Sequence, residues 1–399
     1  MNPFKNQYHL TYQFRLNHLK PQLMRKSLEV FNISPLENIY EVNNVKEETV
    51  LIGILYIDSE LKPSLFNNIK KTNTYFSPKN KFYLEDGSRI ELKIEDKILS
   101  NNLLCTGMVL ALKGICKENM FYVNDYCFSD FDNSNKNLRN EKYEVSFDKV
   151  CFISCIKMKE NRNYEKLILI LKYLNENQVP VFIIGPYFSS NFDIITLKEI
   201  LSINTAYLVP GKNDPTSKIL PQKPLHNKLC HESTICLGNP TFIESSDKSM
   251  LITDGCNVED MLKYFNMHKI EVEKENKLKI QELDEEEITI NEEKETEYTK
   301  KVKHFDELSI FLDAMEVLYA SKHFCPTAPD TLHSEPIIDI DPFIFYAPIN
   351  IFVCGNGPSA ALRKSSNVNF ISVPKFSDKN ECLIYDFKKE AIEIIKINE

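Results

Sequence analysis

The hydrophobic period changes along this chain, and the change near residue 149 constrains the fold more than any other feature. Between residues 50 and 128 the apolar residues come in short strand-like runs, including a hairpin over 82–94 that turns at Asp86-Gly87. From residue 149 onward, strand-like runs alternate with helical segments. Short antiparallel strands favour a small barrel, whereas alternating strands and helices favour layered sheets. The sequence therefore predicts a multidomain α+β protein.

A helix is predicted ahead of the barrel. Apolar residues recur every three or four positions from Phe4 to Leu23, and Pro21 is expected to kink this helix or to begin a second one. An OB-fold is the commonest small barrel of this kind, although another barrel or a sandwich also fits the pattern. The predicted division is a helical segment at 1–38, an OB-fold at 39–138 and a layered domain at 139–399.

The formal net charge of −9 is concentrated in one segment. Between Glu271 and Lys300 there are 12 acidic residues and 5 lysines, a net of −7, so the rest of the chain is nearly neutral. A segment with so few large apolar residues cannot bury enough surface to pack, and residues 271–303 are predicted to form a solvated insertion. An acidic ligand for a basic partner is the alternative. The near-neutral remainder does not favour binding to nucleic acid through bulk charge.

The cysteines and histidines give little sign of a metal site. The chain has 11 cysteines, and none of them forms a Cys-x-x-Cys pair, which argues against a disulfide framework and a zinc ribbon. The histidines are too scattered for a metal motif, and no glycine-rich phosphate loop is present. No cofactor is predicted.

With no apolar run of about 18 residues and no signal core, a cytosolic or nuclear protein is expected.

Four loops at the ends of predicted strands are the places where chemistry would lie. They are Ser154–Lys157, Ile184–Pro186, Pro210–Pro215 and Cys354–Pro358. Their glycines and prolines could serve only as turn residues. Their order and spacing nevertheless resemble the metal loops of calcineurin-like phosphoesterases. Those enzymes use Asp-x-His, Gly-Asp, Gly-Asn-His-Asp and Gly-His-x-His to hold two metal ions.

The resemblance implies that most of the metal ligands have been replaced. It places Cys155 and Lys157 at the first Asp and His, Pro186 at the bridging Asp, Lys212 and Asn213 at the Asn and His of the third motif, and Asn356 and Pro358 at the last two His. Only Asp214 keeps the expected type. A lysine and two prolines cannot share a dication cage, because a proline side chain offers no donor. The prediction is a phosphoesterase-like domain with no catalytic, cofactor-binding or metal-binding residue.

Further strings spread along the chain resemble the B-subunits of the replicative DNA polymerases, and within that family the delta type. They are Phe4–Tyr8 with Arg15-Leu16, Tyr83–Asp86, Leu104–Gly107, Val123–Phe128, Pro210–Pro215 with Leu220–His226, Thr253–Val258, Cys325–Leu332, Asp341–Phe345 and Val353–Asn356. Together they cover nearly the whole chain in order.

The resemblance implies a non-catalytic accessory subunit that acts in the nucleus in DNA replication and repair. Its implied partners are the C-terminal cysteine-rich module (iron–sulfur or zinc) of the DNA polymerase delta catalytic subunit and, on the OB side, a third accessory subunit that reaches the sliding clamp. DNA would be bound weakly at most, and no membrane is involved.

Three alternatives stay open at the level of the sequence. The chain could be the small subunit of polymerase alpha or epsilon, although the string Pro326–Thr331 and the short N-terminal helix favour delta. It could be a working phosphodiesterase, which the ligand replacements oppose. It could also be a single-stranded nucleic-acid-binding OB protein that stacks bases on Tyr83, Phe121 and Tyr122.

Overall fold

The protein divides into two compact units. The computed structural model describes residues 8–63, 73–95, 98, 103–131, 142–158, 164–189, 193–245, 247–265, 307–337 and 339–396. Unit 1 comprises Met1–Ser134, Glu259–Thr331 and Pro336–Phe345, and unit 2 comprises Asn135–Val258, Leu332–Glu335 and Tyr346–Glu399. The predicted insertion at 271–303 lies outside the described residues.

The division into units differs from the predicted one in two segments. Residues 259–331 and 336–345, which the sequence placed with the layered domain, cluster with the barrel in unit 1. They include a helix, α5, over 307–320. The predicted domain boundaries near 38 and 138 stay predictions.

Unit 1 contains the predicted N-terminal helix and barrel. One helix, α1, runs over His9–Phe31 and continues through Pro21, so no second helix begins there. The barrel strands are β1 Thr49–Asp58, β2 Lys81–Glu85, β3 Arg89–Ile94, β4 Val109–Lys117 and β5 Met120–Cys127. They close in the order β1-β2-β3-β5-β4. The structure confirms the predicted five-stranded barrel.

The apolar stripe of α1 covers one side of the barrel. Leu16, Leu19 and Leu23 form a buried cluster with the β1 residues Val50, Ile52 and Ile54 and the β4 residues Val109 and Ala111. Barrel closure depends on an irregularity in β4, where the register shifts at Lys113/Gly114. A Cβ at Gly114 would lie 2.0 Å from the Tyr122 carbonyl oxygen, so only glycine lets the two strands come this close.

A charged cluster, which we call the Arg15 cluster, lies fully buried in unit 1 and consists of Arg15, His323 and Asp341. The Arg15 Nε lies 2.8 Å from Asp341 Oδ2. Its other guanidinium nitrogens donate to the carbonyls of Gly107, Pro326 and Ala328 at 2.9, 3.0 and 2.9 Å. One side chain therefore ties α1 to the barrel and to the loop that follows α5.

The histidine of this cluster is neutral. His323 Nδ1 accepts from the Cys325 N–H at 3.2 Å, so the ring proton lies on Nε2, which donates to Asp341 Oδ2 at 3.0 Å. Burial and the nearby guanidinium of Arg15 lower the pKa of His323 to about 4. Although burial opposes it, the charge of Arg15 and the hydrogen bonds from Arg15 and His323 hold the pKa of Asp341 well below its usual range.

Unit 2 is built on two six-stranded sheets. Its strands are β6 Lys142–Val145, β7 Lys149–Ser154, β8 Val181–Ile184, β9 Ala206–Val209, β10 Ile235–Cys236, β11 Thr241–Ser245, β12 Lys248–Thr253, β13 Ile351–Gly357, β14 Ala361–Ser365, β15 Val368–Pro374, β16 Glu381–Asp386 and β17 Ala391–Lys396. One sheet has the order β10-β9-β8-β7-β16-β17 and the other β14-β15-β13-β12-β11-β6. The remaining helices are α2 Glu165–Glu176, α3 Ile194–Leu201, α4 Cys256–Leu262 and the short α6 Phe376–Lys379.

The core of unit 2 has two layers. The first lies between the sheets and includes Phe152 and Phe182 from one sheet and Ile252 and Val353 from the other. The second lies between the outer face of the β7–β9 sheet and the helices α2 and α3. This is the layered α/β arrangement predicted from the sequence. None of the helices in the described ranges is long and apolar enough to cross a membrane.

Candidate functional site

The predicted loops lie at the carboxyl ends of β7, β8, β9 and β13, and the loop after β12 joins them. Parallel strands bring their carboxyl ends to one edge of a sheet, where ligands bind in many α/β proteins. The pairs β7–β8, β8–β9 and β12–β13 are all parallel. We give the name strand-end cluster to six polar side chains of these loops and of the turn after β10, all of them buried except the half-buried Asn356: Ser154, Asp214, Gln222, Asn239, Asp254 and Asn356.

Asn356 connects three of the loops. Its amide nitrogen Nδ2 donates to the carbonyl of Gly185 and to that of Asp254, each at 2.8 Å. Its backbone N–H donates to Ser154 Oγ at 2.8 Å. Asn356 has φ of 57°, in the left-handed region that asparagine tolerates better than most residues. Both amide hydrogens are therefore used to hold the backbone together.

Asp214 connects the loops after β8 and β9. Its Oδ1 accepts from the Tyr187 N–H at 2.7 Å and its Oδ2 from the Gly211 N–H at 2.9 Å. Burial raises the pKa of Asp214 to about 7, although the backbone donors partly offset the effect. Both carboxylate oxygens face backbone N–H groups, which leaves this side chain poorly suited to coordinate a cation.

A third group of contacts links the β9 loop to the β12 loop. Gln222 donates from Nε2 to the Gly211 carbonyl at 3.0 Å and accepts from Asn239 Nδ2 at 3.2 Å. Asn239 Oδ1 in turn accepts from the Asp254 N–H at 3.3 Å. The Asp254 carboxylate accepts from the N–H groups of Lys212 and Cys256. The side chains form a continuous chain of hydrogen bonds.

Glycines let the loops pack against each other without intervening space. A Cβ at Gly185 would lie 2.2 Å from Asp214 Oδ2 and 2.3 Å from the Gly211 nitrogen. A Cβ at Gly255, where φ is 84°, would lie 2.1 Å from the Gly355 carbonyl oxygen. The close backbone contacts alone require glycine at these positions, so a metal site is not needed to explain them.

The structure brings some of the predicted positions together and leaves others at the surface. The close contact between Gly185 and Gly211 brings Asp214 near Asn356. Cys155 lies beside them, where its N–H donates to the Ile184 carbonyl at 2.8 Å. The Lys157 N–H donates to the Pro186 carbonyl at 3.4 Å. Lys212 and Asn213 are exposed, and Pro358 is half-buried.

The donor set does not suit the dications of a phosphoesterase. Pro186 and Pro358 offer no side-chain ligand atom, and both carboxylate oxygens of Asp214 already accept from backbone N–H groups. Among the described residues, no three His, Cys, Asp or Glu side chains lie close enough to hold a metal together. Burial also raises the pKa of the Cys155 thiol, which lies 3.7 Å from Ser377 Oγ, so it is not an activated nucleophile.

Sequence reasoning missed four members of the strand-end cluster: Ser154, Gln222, Asn239 and Asp254. Gln222 and Asp254 lie within strings that carried the family resemblance, and this was a usable signal. Asn239 lies in no such string. Its role depends on the turn after β10, which places it against Gln222, and no local pattern indicates that contact.

The barrel aromatics that could stack bases behave differently from one another. Phe121 is fully buried and cannot meet a base. Tyr122 is exposed with the Lys117 ammonium 5.7 Å from its ring, and Tyr83 is half-buried under the Arg89 guanidinium. Arg89 is itself paired with Glu85. Of the three aromatic residues predicted to stack bases, only Tyr122 is therefore exposed.

Two family models match different parts of the chain. The model of the DNA polymerase delta subunit OB-fold domain matches residues 7–126, and the model of the DNA polymerase alpha/epsilon B-subunit matches residues 194–364. A solved structure described as a novel archaeal phosphodiesterase aligns with 62% of this chain and 99% of its own, at 11% identity and a TM-score of 0.32.

Curated relatives match over almost the full length. The DNA polymerase delta small subunit of Saccharomyces cerevisiae is 24% identical over 99% of this chain and 90% of its own. The probable DNA polymerase delta small subunit of Caenorhabditis elegans is 23% identical over 94% and 88%. That of Arabidopsis thaliana is 24% identical over 83% and 78%. Because the two family models match separate parts of the chain and the delta small subunits match along its length, the chain belongs to the B-subunit family of the replicative DNA polymerases.

Proposed function

We propose that this chain is a non-catalytic accessory subunit of DNA polymerase delta. The observation that carries the proposal is the similarity to delta small subunits over nearly the entire chain, from α1 to the last strands. The chemistry of the strand ends supports it, because the groups that would bind metal in a phosphoesterase instead hold backbone loops together.

The proposed partners follow from the family. The chain scaffolds the C-terminal cysteine-rich module of the catalytic subunit, receives a third accessory subunit on the barrel side and reaches the sliding clamp only through that subunit. It acts in the nucleus, in DNA replication and repair. No contact residue is assigned to any of these partners.

Two other functions compete with this one. The match of residues 194–364 to the alpha/epsilon model favours a small subunit of polymerase alpha or epsilon. The exposed Tyr122 with its neighbouring Lys117 is the observation that favours single-stranded nucleic-acid binding. The delta assignment is preferred because the yeast, nematode and plant relatives described above are all named for delta.

Purification of the tagged full chain from its own cells, followed by mass spectrometry, tests the assignment. A catalytic subunit of the delta type is expected at about equal amounts with this chain. Recovery of an alpha or epsilon catalytic subunit instead would overturn the delta assignment. A chain that stays alone and binds single-stranded DNA tightly at physiological salt would favour the barrel alternative.

A second experiment tests the absence of catalysis. The purified protein is incubated with manganese, dialysed and subjected to elemental analysis, and turnover of a generic phosphodiester is measured beside it. We expect neither a stoichiometric metal nor turnover. Stoichiometric metal together with turnover would contradict the non-catalytic assignment.

A further inference from the structure

Two cysteine sulfurs lie unusually close together at the edge of the β7–β9 sheet. Cys230 and Cys236 have their Sγ atoms 3.1 Å apart. A disulfide bond is about 2.05 Å long, so the atoms need to approach by only about 1 Å, which a small side-chain rotation supplies. Neither residue belongs to the strand-end cluster.

The backbone holds both residues in place. Cys230 ends a short 3-10 turn over Asn227–Leu229, and its N–H donates to the Asn227 carbonyl at 3.1 Å. Cys236 lies on β10, which pairs in parallel with β9, and Cys236 is opposite Leu208. Backbone hydrogen bonds on both sides therefore hold the two sulfurs near each other.

An oxidant can reach this pair. Cys236 is only partly buried, and β10 is the edge strand of its sheet. The residues between the two cysteines are exposed or half-buried, with Glu232 and Ser233 exposed. A second pair in the same unit, Cys151 and Cys382, also interacts through its thiols, but both residues are fully buried.

The two thiols also differ in acidity. The hydrogen bond from the Cys230 thiol lowers the pKa of Cys236, whereas the same contact and burial raise the pKa of Cys230. The positive charge of Lys198 on α3 counteracts part of the rise at Cys230. Cys236 is thus the more acidic of the two thiols and the one that forms the reactive thiolate more readily.

We propose that Cys230 and Cys236 form a reversible oxidation site that hydrogen peroxide converts to a disulfide. The Cys236 thiolate attacks one peroxide oxygen, the O–O bond breaks, hydroxide leaves, and Cys236 becomes a sulfenic acid. The Cys230 sulfur then attacks the Cys236 sulfur, the S–O bond breaks, and water leaves. Two thiols and one peroxide thereby give one disulfide and two waters, and a dithiol reductant reverses the change by exchange.

The sequence makes this site easy to measure. Trypsin cuts after Lys228 and Lys248, so the peptide 229–248 contains Cys230, Cys236 and no other cysteine. The reduced full chain is treated with hydrogen peroxide, blocked with an alkylating reagent and digested. We expect this peptide to lose two hydrogen atoms and to take up no alkyl group, and a dithiol to restore both alkylation sites.

Two matched controls are present in the same digest. Cys116, a partly buried barrel thiol whose pKa is raised by burial, is expected to react about tenfold more slowly. The buried pair Cys151 and Cys382 is expected to stay reduced at doses that close the surface pair. If the 229–248 peptide remains doubly alkylated at doses that oxidise Cys116, the proposal is overturned.

Single variants separate the two roles. In Cys230→Ser, Cys236 is expected to stop at the sulfenic acid, which a dimedone-type reagent traps. In Cys236→Ser, Cys230 is expected to oxidise no faster than Cys116. Faster trapping at Cys230 than at Cys236 would contradict the assigned nucleophile, and the wild-type peptide tests the disulfide even if a variant fails to fold.

Discussion

Each of the two units has a buried polar cluster, and the two clusters are built from different chemistry. The Arg15 cluster of unit 1 contains a guanidinium, a carboxylate and a neutral imidazole, all fully buried. The strand-end cluster of unit 2 depends on amides and on Asp214, whose pKa is raised to about 7. In unit 1 the burial of charge is offset by opposite charge, whereas in unit 2 most of the polar groups are neutral.

Because of this difference, substitutions in the two clusters should reduce stability by different amounts. Removing one member of a buried ion pair leaves the other charge without compensation, which costs more than losing a neutral hydrogen bond. It also affects the response to pH, because His323 and Asp341 have lowered pKa values and Asp214 has a raised one. Substitutions in the Arg15 cluster should therefore cost more stability than those in the strand-end cluster. The stabilities of the two units should also change in opposite directions with pH.

The largest expected effect is that of Arg15→Met. It leaves the Asp341 carboxylate without its opposite charge and three backbone carbonyls without their donor, and the free energy of unfolding of unit 1 should fall by about 3–5 kcal/mol. Urea denaturation followed by hydrogen exchange of α1 and barrel peptides measures it.

The control for that change is Arg25→Met on the same helix. Arg25 is exposed, so its replacement should alter stability by about 0.5 kcal/mol or less. If the two substitutions had equal effects, the positive charge of α1 in general, and not the contacts of the Arg15 cluster, would account for the loss of stability.

The second prediction concerns pH. Between pH 7 and pH 4.5, unit 1 should lose stability, because unfolded His323 binds a proton that the folded side chain, with its pKa of about 4, does not. Unit 2 should gain stability over the same range, because folded Asp214 binds a proton that the unfolded carboxylate does not. Each effect is on the order of 3 kcal/mol, since one unit of pKa corresponds to about 1.4 kcal/mol.

Two variants isolate these slopes. Asp214→Asn does not titrate, so its stability relative to wild type should rise as the pH is raised from 4.5 to 7.5. His323→Gln should show the reverse, with its relative stability rising as the pH is lowered. Slopes of the same sign would refute the proposed contrast between the clusters.

The third prediction concerns Asn356→Ala. It removes the donors to the Gly185 and Asp254 carbonyls and should reduce the free energy of unfolding of unit 2 by about 1–3 kcal/mol. Asn367→Ala is the matched control, because Asn367 has a similar φ of 63° but is exposed at the β14–β15 turn. The difference between the two variants gives the contribution of the amide, free of the backbone strain that both share.

The smallest expected effect is at a half-buried ion pair of unit 1. Lys62 Nζ lies 2.6 Å from Asp330 Oδ2 and 4.5 Å from the centre of the Tyr56 ring. Lys62→Met should cost about 1 kcal/mol, whereas Lys79→Met, at an exposed pair with 3.9 Å separation from Glu60, should cost almost nothing. If Lys62→Met reduced stability as much as Arg15→Met, the degree of burial would not explain the difference expected between these two ion pairs.

The elements that the sequence predicted well are those with a strong hydrophobic period. The stripe of α1, the hairpin of β2 and β3 and the fully buried strands β7 and β8 all lie where the pattern placed them. The edge strands β6 and β17 were not predicted, whereas the edge strand β10 was. Exposed residues dominate β6 and β17, so these strands bury little apolar surface of their own and depend on hydrogen bonds from a neighbouring strand.

The sequence by itself indicated the family and a barrel followed by layered sheets, because those depend on residue types and hydrophobic periods along the chain; the loss of the metal ligands stays its prediction. Only the tertiary structure decided which contacts the buried polar side chains make. Arg15 joins segments about 300 positions apart by contacting Asp341, and Asn356 uses its amide to hold two loops from distant parts of the chain. A hydrogen bond between residues far apart in sequence depends on how the backbone is folded, and no local pattern records it.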